Sequence, residues 1–379
     1  MSSVRHTLAG GLEIPLPPDR AVLYPVRGRA ANVPRRPGKD FRVTLCPLKF
    51  KPLLLEKMWG GRKLQAVLNK PLPEGKNIGE SWELYDFPPG VIEKSKQWTS
   101  AAVAEGPLAG KTLHELVQQF GRQLYGGVSL IGHQGQFPLL LKFLDARQDL
   151  SIQVHPDPAY CSLHPGAYLK SECWYIVQAD PGARIYKGLV KGVSRDAFME
   201  ALAKRTVEQV LNAIPVEAGQ CFYLPAGTVH AVGAGVLAAE VQTPSDTTFR
   251  VYDFNRIDPA TGRRRQLHLT EALSCIDFSG HPAPAESHPE VDGVKRLVTT
   301  EYFLLDQVRL PAGAEKSLPG GEPIAWMVLD GAGQVSGEGA EPTVFRKGDT
   351  LLLPAGVKNP AMKATNECLL LDVRFPARR

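Results

Sequence analysis

The feature that most constrains this chain is an internal echo. Gly219-Gln-Cys-Phe-Tyr-Leu-Pro-Ala-Gly-Thr-Val-His230 has the form G-x5-P-x-G-x2-H. Gly348-Asp-Thr-Leu-Leu-Leu-Pro-Ala-Gly-Val-Lys-Asn359 repeats it position for position, with Asn in place of His. In each copy Gly opens a turn, the apolar run makes a buried strand and Pro-x-Gly makes a tight turn. The last residue then starts the return strand. Two copies at one internal spacing predict two related β-barrel units, and only the first keeps its His.

Composition agrees with a framework of many short strands. Gly (36) and Pro (32) in 379 residues exceed the roughly 12% of ordinary chains but fall short of the ~25–30% of low-complexity ones. The net charge of +5 is too small for a committed nucleic-acid binder. No apolar run approaches the ~18 residues of a membrane span. The six cysteines, Cys46, Cys161, Cys173, Cys221, Cys275 and Cys368, form no CxxC pair and read as reduced thiols. The N-terminus shows no apolar core behind a basic start, so the expected location is cytoplasmic.

Residues 1–40, rich in Arg and Pro, read as a flexible extension. Leu108, Leu113, Leu116, Val117 and Phe120 are spaced for a helix ending near Gly121. The apolar run Phe137–Leu144 suits a strand buried on both faces, and 149–156, 172–179 and 220–225 read as further strands. Between the last two lies a helical insert, about 193–214. Ser194 caps one helix there, and Thr206 with Gln209 matches a capping box for a second. A short helix is expected from Thr270, and 297–379 returns to short strands separated by turns.

A His placed after a tight turn at the start of a strand can face an interior, and its partners must then come from neighbouring strands. In Ser151-Ile-Gln-Val-His155 the side chains of Gln153 and His155, two apart, leave one face of an extended strand. Glu172 opens the next apolar segment. With His230 these supply two imidazoles, one carboxylate and one amide oxygen, a mixed N/O set suited to Zn²⁺ or a similar divalent ion.

The repeated hairpin resembles the second motif of the cupin jelly-roll barrel. That likeness implies a mainly β chain of tandem cupin-type jelly-roll barrels with a small helical insert. Residues 41–280 would be the catalytic, metal-binding domain and 281–379 a degenerate cupin-like β domain. Longer blocks carry a closer resemblance: Gly79-Glu-Ser-Trp-Glu83, Pro138–Asp145, Leu150–Asp157, Lys170–Ile176, Gly227–His230 and Asp246–Asp253. Their sequence and order resemble the type I phosphomannose isomerases, with the shorter bacterial branch the nearer match. The likeness runs from about residue 46 to the C-terminus. It does not extend to the first 40 residues or to the Pro-rich stretch around 281–290.

The resemblance implies an aldose–ketose isomerase with one Zn²⁺ per chain, held by Gln153, His155, Glu172 and His230. It interconverts mannose 6-phosphate and fructose 6-phosphate. Arg250 matches the family's active-site arginine, and Lys170 and Glu240 match polar positions lining its pocket. Lys170, two residues before Glu172, and Glu240 are rival candidates for the base. The implied partner is a phosphorylated hexose, without nucleic acid or membrane, and the chain is expected as a monomer or weak dimer. Two other readings stand beside it: another metal-dependent cupin enzyme such as an iron-dependent dioxygenase, and a non-catalytic sugar-binding cupin. An oxygenase typically uses two or three His around open iron, whereas a Gln beside a Lys/Arg cluster suits an anionic sugar.

Overall fold

The strands between residues 140 and 252 fall into two antiparallel sheets. The computed structural model describes residues 45–92, 97–131, 135–259, 261–279 and 289–376. One sheet has six strands, in the spatial order Cys221–Leu224, Glu172–Ala179, Val236–Gln242, Leu140–Ala146, Ile78–Leu84 and Leu53–Gly61. The other has five: Leu211–Pro215, Arg184–Leu189, His230–Val232, Ile152–Val154 and Phe249–Tyr252. All their pairings are antiparallel.

The two sheets pack face to face. Leu144, Trp174, Ile176 and Ala238 of the first share a core with Ile185 and Val232 of the second. The outer face of the five-stranded sheet, Ile152, Val154, Ala231 and Val251, is covered by Phe198 of helix Arg195–Lys204 and Ala272 of helix Leu269–Cys275. The outer face of the six-stranded sheet packs Leu141, Phe143, Tyr175 and Val241 against helix Leu113–Phe120. It also meets Ala325, Met327 and Leu371 of the C-terminal half. Strand Leu140–Ala146 is therefore buried on both faces, with Lys142 and Asp145 the charged residues it carries inside.

The C-terminal half has a six-stranded sheet that includes Ile324–Asp330, Thr350–Leu353 and Cys368–Arg374, with a four-stranded sheet against it. Trp326, Leu351 and Leu370 meet Val335, Phe345 and Met362 between them.

The expectation of tandem jelly-roll barrels is corrected here. All these sheets are open, and among the described residues none closes into a barrel. Strands Cys221–Leu224 and Leu53–Gly61 each have one neighbour in their ladder, as do Leu211–Pro215 and Phe249–Tyr252. Closure needs a ladder across those edges with consistent tilt and register. The three to five residues of most strands in the smaller sheet give little backbone for it.

The hairpin echo itself is present in part. Gly219 and Gly348 both take left-handed φ, +91° and +87°. A Cβ on Gly348 would lie 2.0 Å from the Leu68 carbonyl oxygen, so glycine is required twice over. The copies part at their last residue. His230 starts strand His230–Val232, whereas Asn359 sits at φ 43° outside any strand, and the return strand begins at Ala361. The expected first helix of the insert is capped by Ser194, which accepts from the Ala197 N–H at 3.2 Å. The second is a single 3-10 turn, Val207–Val210, with no cap from the Thr206 side chain. From Leu211 the chain is claimed by pairing with Arg184–Leu189, and that ladder overrides the local signal. The Arg/Pro extension 1–40, and the Pro-rich stretch apart from its last two residues, lie outside the described residues.

A buried ion pair ties the two halves at Gly348. The Lys70 ammonium donates to the Gly348 carbonyl oxygen at 2.5 Å and meets the Glu83 carboxylate at 2.7 Å, while Ser81 Oγ donates to Glu83 at 2.6 Å. Lys70→Ala strands the Glu83 charge in the interior. It should destabilise the protein by about 3–5 kcal/mol in chemical denaturation, where a surface lysine would cost under ~1 kcal/mol.

Candidate metal centre

Cross-strand register brings the expected ligands together. The Cα of His230 is paired with that of Gln153, and Gln153 in turn with Arg250, so the three side chains share one face of the five-stranded sheet. That face looks onto Glu172 of the opposing sheet. His230 Nε2 lies 3.2 Å from Glu172 Oε1, and His155 Nε2 lies 3.5 Å from Glu172 Oε2. The two imidazole centroids are 4.8 Å apart. All three residues are essentially inaccessible to solvent.

The backbone fixes both tautomers. His230 Nδ1 meets the Thr228 carbonyl oxygen at 2.8 Å, and His155 Nδ1 meets the Thr247 carbonyl oxygen at 3.0 Å. A carbonyl only accepts, so each Nδ1 carries a proton, and in the neutral ring Nε2 is then the atom left with a lone pair for a metal. Those lone pairs face a carboxylate, itself only an acceptor. His155 Nε2 and both Glu172 oxygens are buried without a hydrogen-bond partner. Apart from the Lys170 ammonium beside Glu172 Oε2, no donor reaches these converging acceptors, a set that calls for a cation; one ligand atom from each of His155, Glu172 and His230 lies within 4.8 Å of the others.

Protonation states agree. Burial, reinforced by the Lys170 charge, pushes His155 down to about 3, so its imidazole stays neutral. Burial alone would raise Glu172, but Lys170, whose ammonium lies 3.0 Å from Oε2, and His155 hold it well below the usual carboxylate range. Neutral imidazoles and an ionised carboxylate are the forms that bind a metal. Gln153 places its amide 3.4 Å from His230 Nε2. A half-turn of the terminal torsion exchanges its nitrogen and oxygen without moving the rest of the side chain.

Arg250 is locked in place beside Gln153. Its backbone N–H donates to His268 Nδ1 at 3.2 Å, its Nε–H to Ser151 Oγ at 3.3 Å and its Nη1–H to the Gln266 carbonyl oxygen at 2.9 Å. Burial and the nearby Arg265 charge pull its pKa down to about 10, so the guanidinium stays charged at neutral pH. Arg256 and Arg265 spend their charge on Asp253. Arg250 meets no carboxylate among the described residues.

Glu240 stands behind the ligands in the six-stranded sheet. Trp174, on the Glu172 strand, packs edge-on against His230 with centroids 5.3 Å apart and donates Nε1–H to Glu240 Oε2 at 3.0 Å. Lys142 lies 3.4 Å from Glu240 Oε1 and 3.9 Å from Glu80. Burial and the Glu172 charge push Glu240 up, against the pull of Lys142 and Lys170.

All seven residues singled out from the sequence thus lie in or beside one centre. Reasoning from the sequence missed Trp174, Lys142 and the carbonyls of Thr228 and Thr247. Trp174 had a signal, being two residues beyond Glu172 on a strand. So did Lys142, the one cation in a fully buried strand. The two carbonyls had none, because any residue would supply them.

Two open antiparallel sheets closing over a buried His/His/Glu cluster, with a locked arginine on the same face, define a β-sheet metalloenzyme built for an anionic or oxygen-rich ligand. Residues 48–171 match the family model described as phosphomannose isomerase type I, catalytic domain. The mannose-6-phosphate isomerase of Streptococcus mutans is 35% identical over 83% of this chain and 94% of its own. ManA of Bacillus subtilis, also a mannose-6-phosphate isomerase, is 35% identical over 86% of this chain and 99% of its own. A crystal structure of the mannose 6-phosphate isomerase from Bacillus subtilis superposes with a TM-score of 0.76 at 31% identity, covering 87% of this chain and all of that one. The chain belongs to the type I mannose-6-phosphate isomerase family.

Proposed function

We propose that this chain is a zinc-dependent isomerase interconverting mannose 6-phosphate and fructose 6-phosphate. One observation carries the reading: in a chain of this family, two backbone-fixed imidazoles aim bare Nε2 atoms at a buried, ionised Glu172. Zinc fits that donor set, with Gln153 as the fourth ligand through its amide oxygen, and when bound it supplies Lewis-acid polarisation of the sugar oxygens.

The reaction moves a proton between C2 and C1 through a cis-enediolate. It therefore needs a base at those carbons and positive charge where the oxyanion develops. Arg250 supplies the second, being charged, oriented by Ser151 and Gln266 and free of a carboxylate. For the base we assign Glu240. Lys170 is held against Glu172 at 3.0 Å, whereas Glu240 is a buried carboxylate whose Oε1 has the Lys142 ammonium at 3.4 Å and no aligned hydrogen bond. Burial raises its pKa toward the range in which a general base works best. Lys170 then serves to hold Glu172 ionised and, beside the ligands, to bind sugar hydroxyls.

Glu240→Gln keeps the Trp174 contact and removes the proton acceptor. Turnover should fall roughly a hundredfold with KM and zinc content little changed. Near-normal turnover would return the role to Lys170.

The six free cysteines fit a reducing, cytoplasmic setting. No helix among the described residues is long and apolar enough to cross a membrane. The deciding assay couples fructose 6-phosphate formation to a dehydrogenase, with and without chelator, against unphosphorylated mannose. Zinc-replete protein inactive on mannose 6-phosphate would refute the reading.

A further inference from the structure

Lys187 is the cation that the isomerase reading leaves unused. It lies on strand Arg184–Leu189, and its Cα is paired with that of His230. Directly paired residues in antiparallel strands share a face. The row therefore runs across four strands as Lys187, His230, Gln153 and Arg250, all on the face that carries the ligands. Neighbouring strands are about 4.8 Å apart, so Lys187 and Arg250 stand about 14 Å apart at the backbone, with two of the ligand residues between them.

The other cations around the centre have carboxylate partners: Lys170 with Glu172, Lys142 with Glu240, Arg256 and Arg265 with Asp253. Arg250 has donors committed to Ser151 and Gln266. The Lys187 ammonium meets no carboxylate and donates no hydrogen bond among the described residues. The residue is half-buried, and burial holds its amine below the ordinary lysine range. A half-buried charge without a partner is costly unless something else compensates it. The substrate carries a compensating group, a phosphate at the end of the sugar away from the reacting carbons. A compact, mobile ammonium is well suited to a phosphate that must bind and leave.

We propose that Lys187 binds the phosphate of the sugar phosphate. The sugar would then lie along the row, its reacting carbons beside Gln153 and Arg250 and its phosphate on the side of strand Arg184–Leu189. This rests on the isomerase reading and adds to it the residue that selects a phosphorylated sugar. It also divides the two cations: Arg250 serves the developing oxyanion and Lys187 the phosphate.

The test compares zinc-loaded wild type with Lys187→Met, Lys187→Gln and Lys187→Arg. The readings are kcat, KM for mannose 6-phosphate, the competitive Ki of inorganic phosphate and zinc per chain. Loss of one charge-assisted contact predicts that Met and Gln raise KM and phosphate Ki by about tenfold or more, with kcat nearly unchanged and zinc retained. Lys187→Arg should recover most of both. KM and Ki within about twofold of wild type in a charge-removing variant would overturn the proposal, as would a fall in kcat alone. Tenfold weaker phosphate inhibition in Arg250→Lys, with Lys187→Gln unaffected, would move the phosphate to the other end of the row. Should the wild type lack isomerase activity, the functional reading fails on its own. Calorimetric titration of inorganic phosphate into wild type and Lys187→Gln then still decides the anion site, because equal binding in the two refutes it.

Discussion

Replacing His230 with alanine should leave a protein that holds no zinc and turns over mannose 6-phosphate at background rate. The expectation follows from where the imidazole stands. Its Nδ1–H is tied to the Thr228 carbonyl oxygen, its Nε2 lies 3.2 Å from Glu172, and Trp174 closes over it edge-on. Alanine removes one ligand and opens a space beside the remaining two, and Glu172 is left with fewer compensating contacts. Losing a ligand typically costs a metal site far more than the 10–100-fold lost on altering the partner that orients it. Chelation of the wild type should have the same effect on activity and be reversed by added zinc. Elemental analysis of the purified variant decides the matter: one zinc per chain in His230→Ala would contradict the proposed ligand set, whatever the activity. The metal also binds only the folded chain, so zinc should raise the thermal midpoint of the wild type and leave that of the variant unmoved.

The centre was more legible in the sequence than the architecture around it, for a physical reason. Metal and oxyanion chemistry select side-chain types, and strand periodicity of two places such types on one face. Gln153 and His155 can therefore be grouped from spacing, whereas Arg250 and Glu240 enter only through the family resemblance. The strands expected at 172–179 and 220–225 are present as Glu172–Ala179 and Cys221–Leu224, because each is a short apolar run closed by turn residues. Barrel closure was not legible. It depends on whether strands such as Leu53–Gly61 and Cys221–Leu224 find second neighbours, a long-range matter that a local hairpin motif leaves open. The second insert helix failed in the same way. Val207–Val210 makes one 3-10 turn because Leu211–Pro215 pairs with a strand some 25 residues earlier, and the ladder outweighs a Thr-x-x-Gln pattern. The echo at Asn359 was legible in its turn but not in its outcome. Without a His to hold at an interior site, the position adopts a left-handed conformation that Asn tolerates, and the strand starts two residues later.

Arg250→Ala should separate chemistry from metal binding, with turnover down about a thousandfold and zinc retained. The guanidinium is held through three of its neighbours, Ser151, Gln266 and the His268 that grips its backbone, and none of these is a ligand. Its removal leaves the His155/Glu172/His230 cluster and both carbonyl contacts untouched. The strand should survive as well, because the Arg250 backbone pairs with Gln153 and exchanges hydrogen bonds with His268 whatever its side chain. A preorganised positive charge where an oxyanion develops acts mainly on the transition state, so the loss should fall on kcat, with KM changed only severalfold. Lysine at this position would restore charge but not the fork that reaches Ser151 and Gln266 together. Arg250→Lys should therefore recover only part of the rate. Its smaller loss, set against the larger loss in Arg250→Ala at equal zinc content, would measure how much of the effect is charge and how much is aim. Near-normal kcat in Arg250→Ala would remove the residue from the mechanism and leave the enediolate charge to Lys170 and the metal.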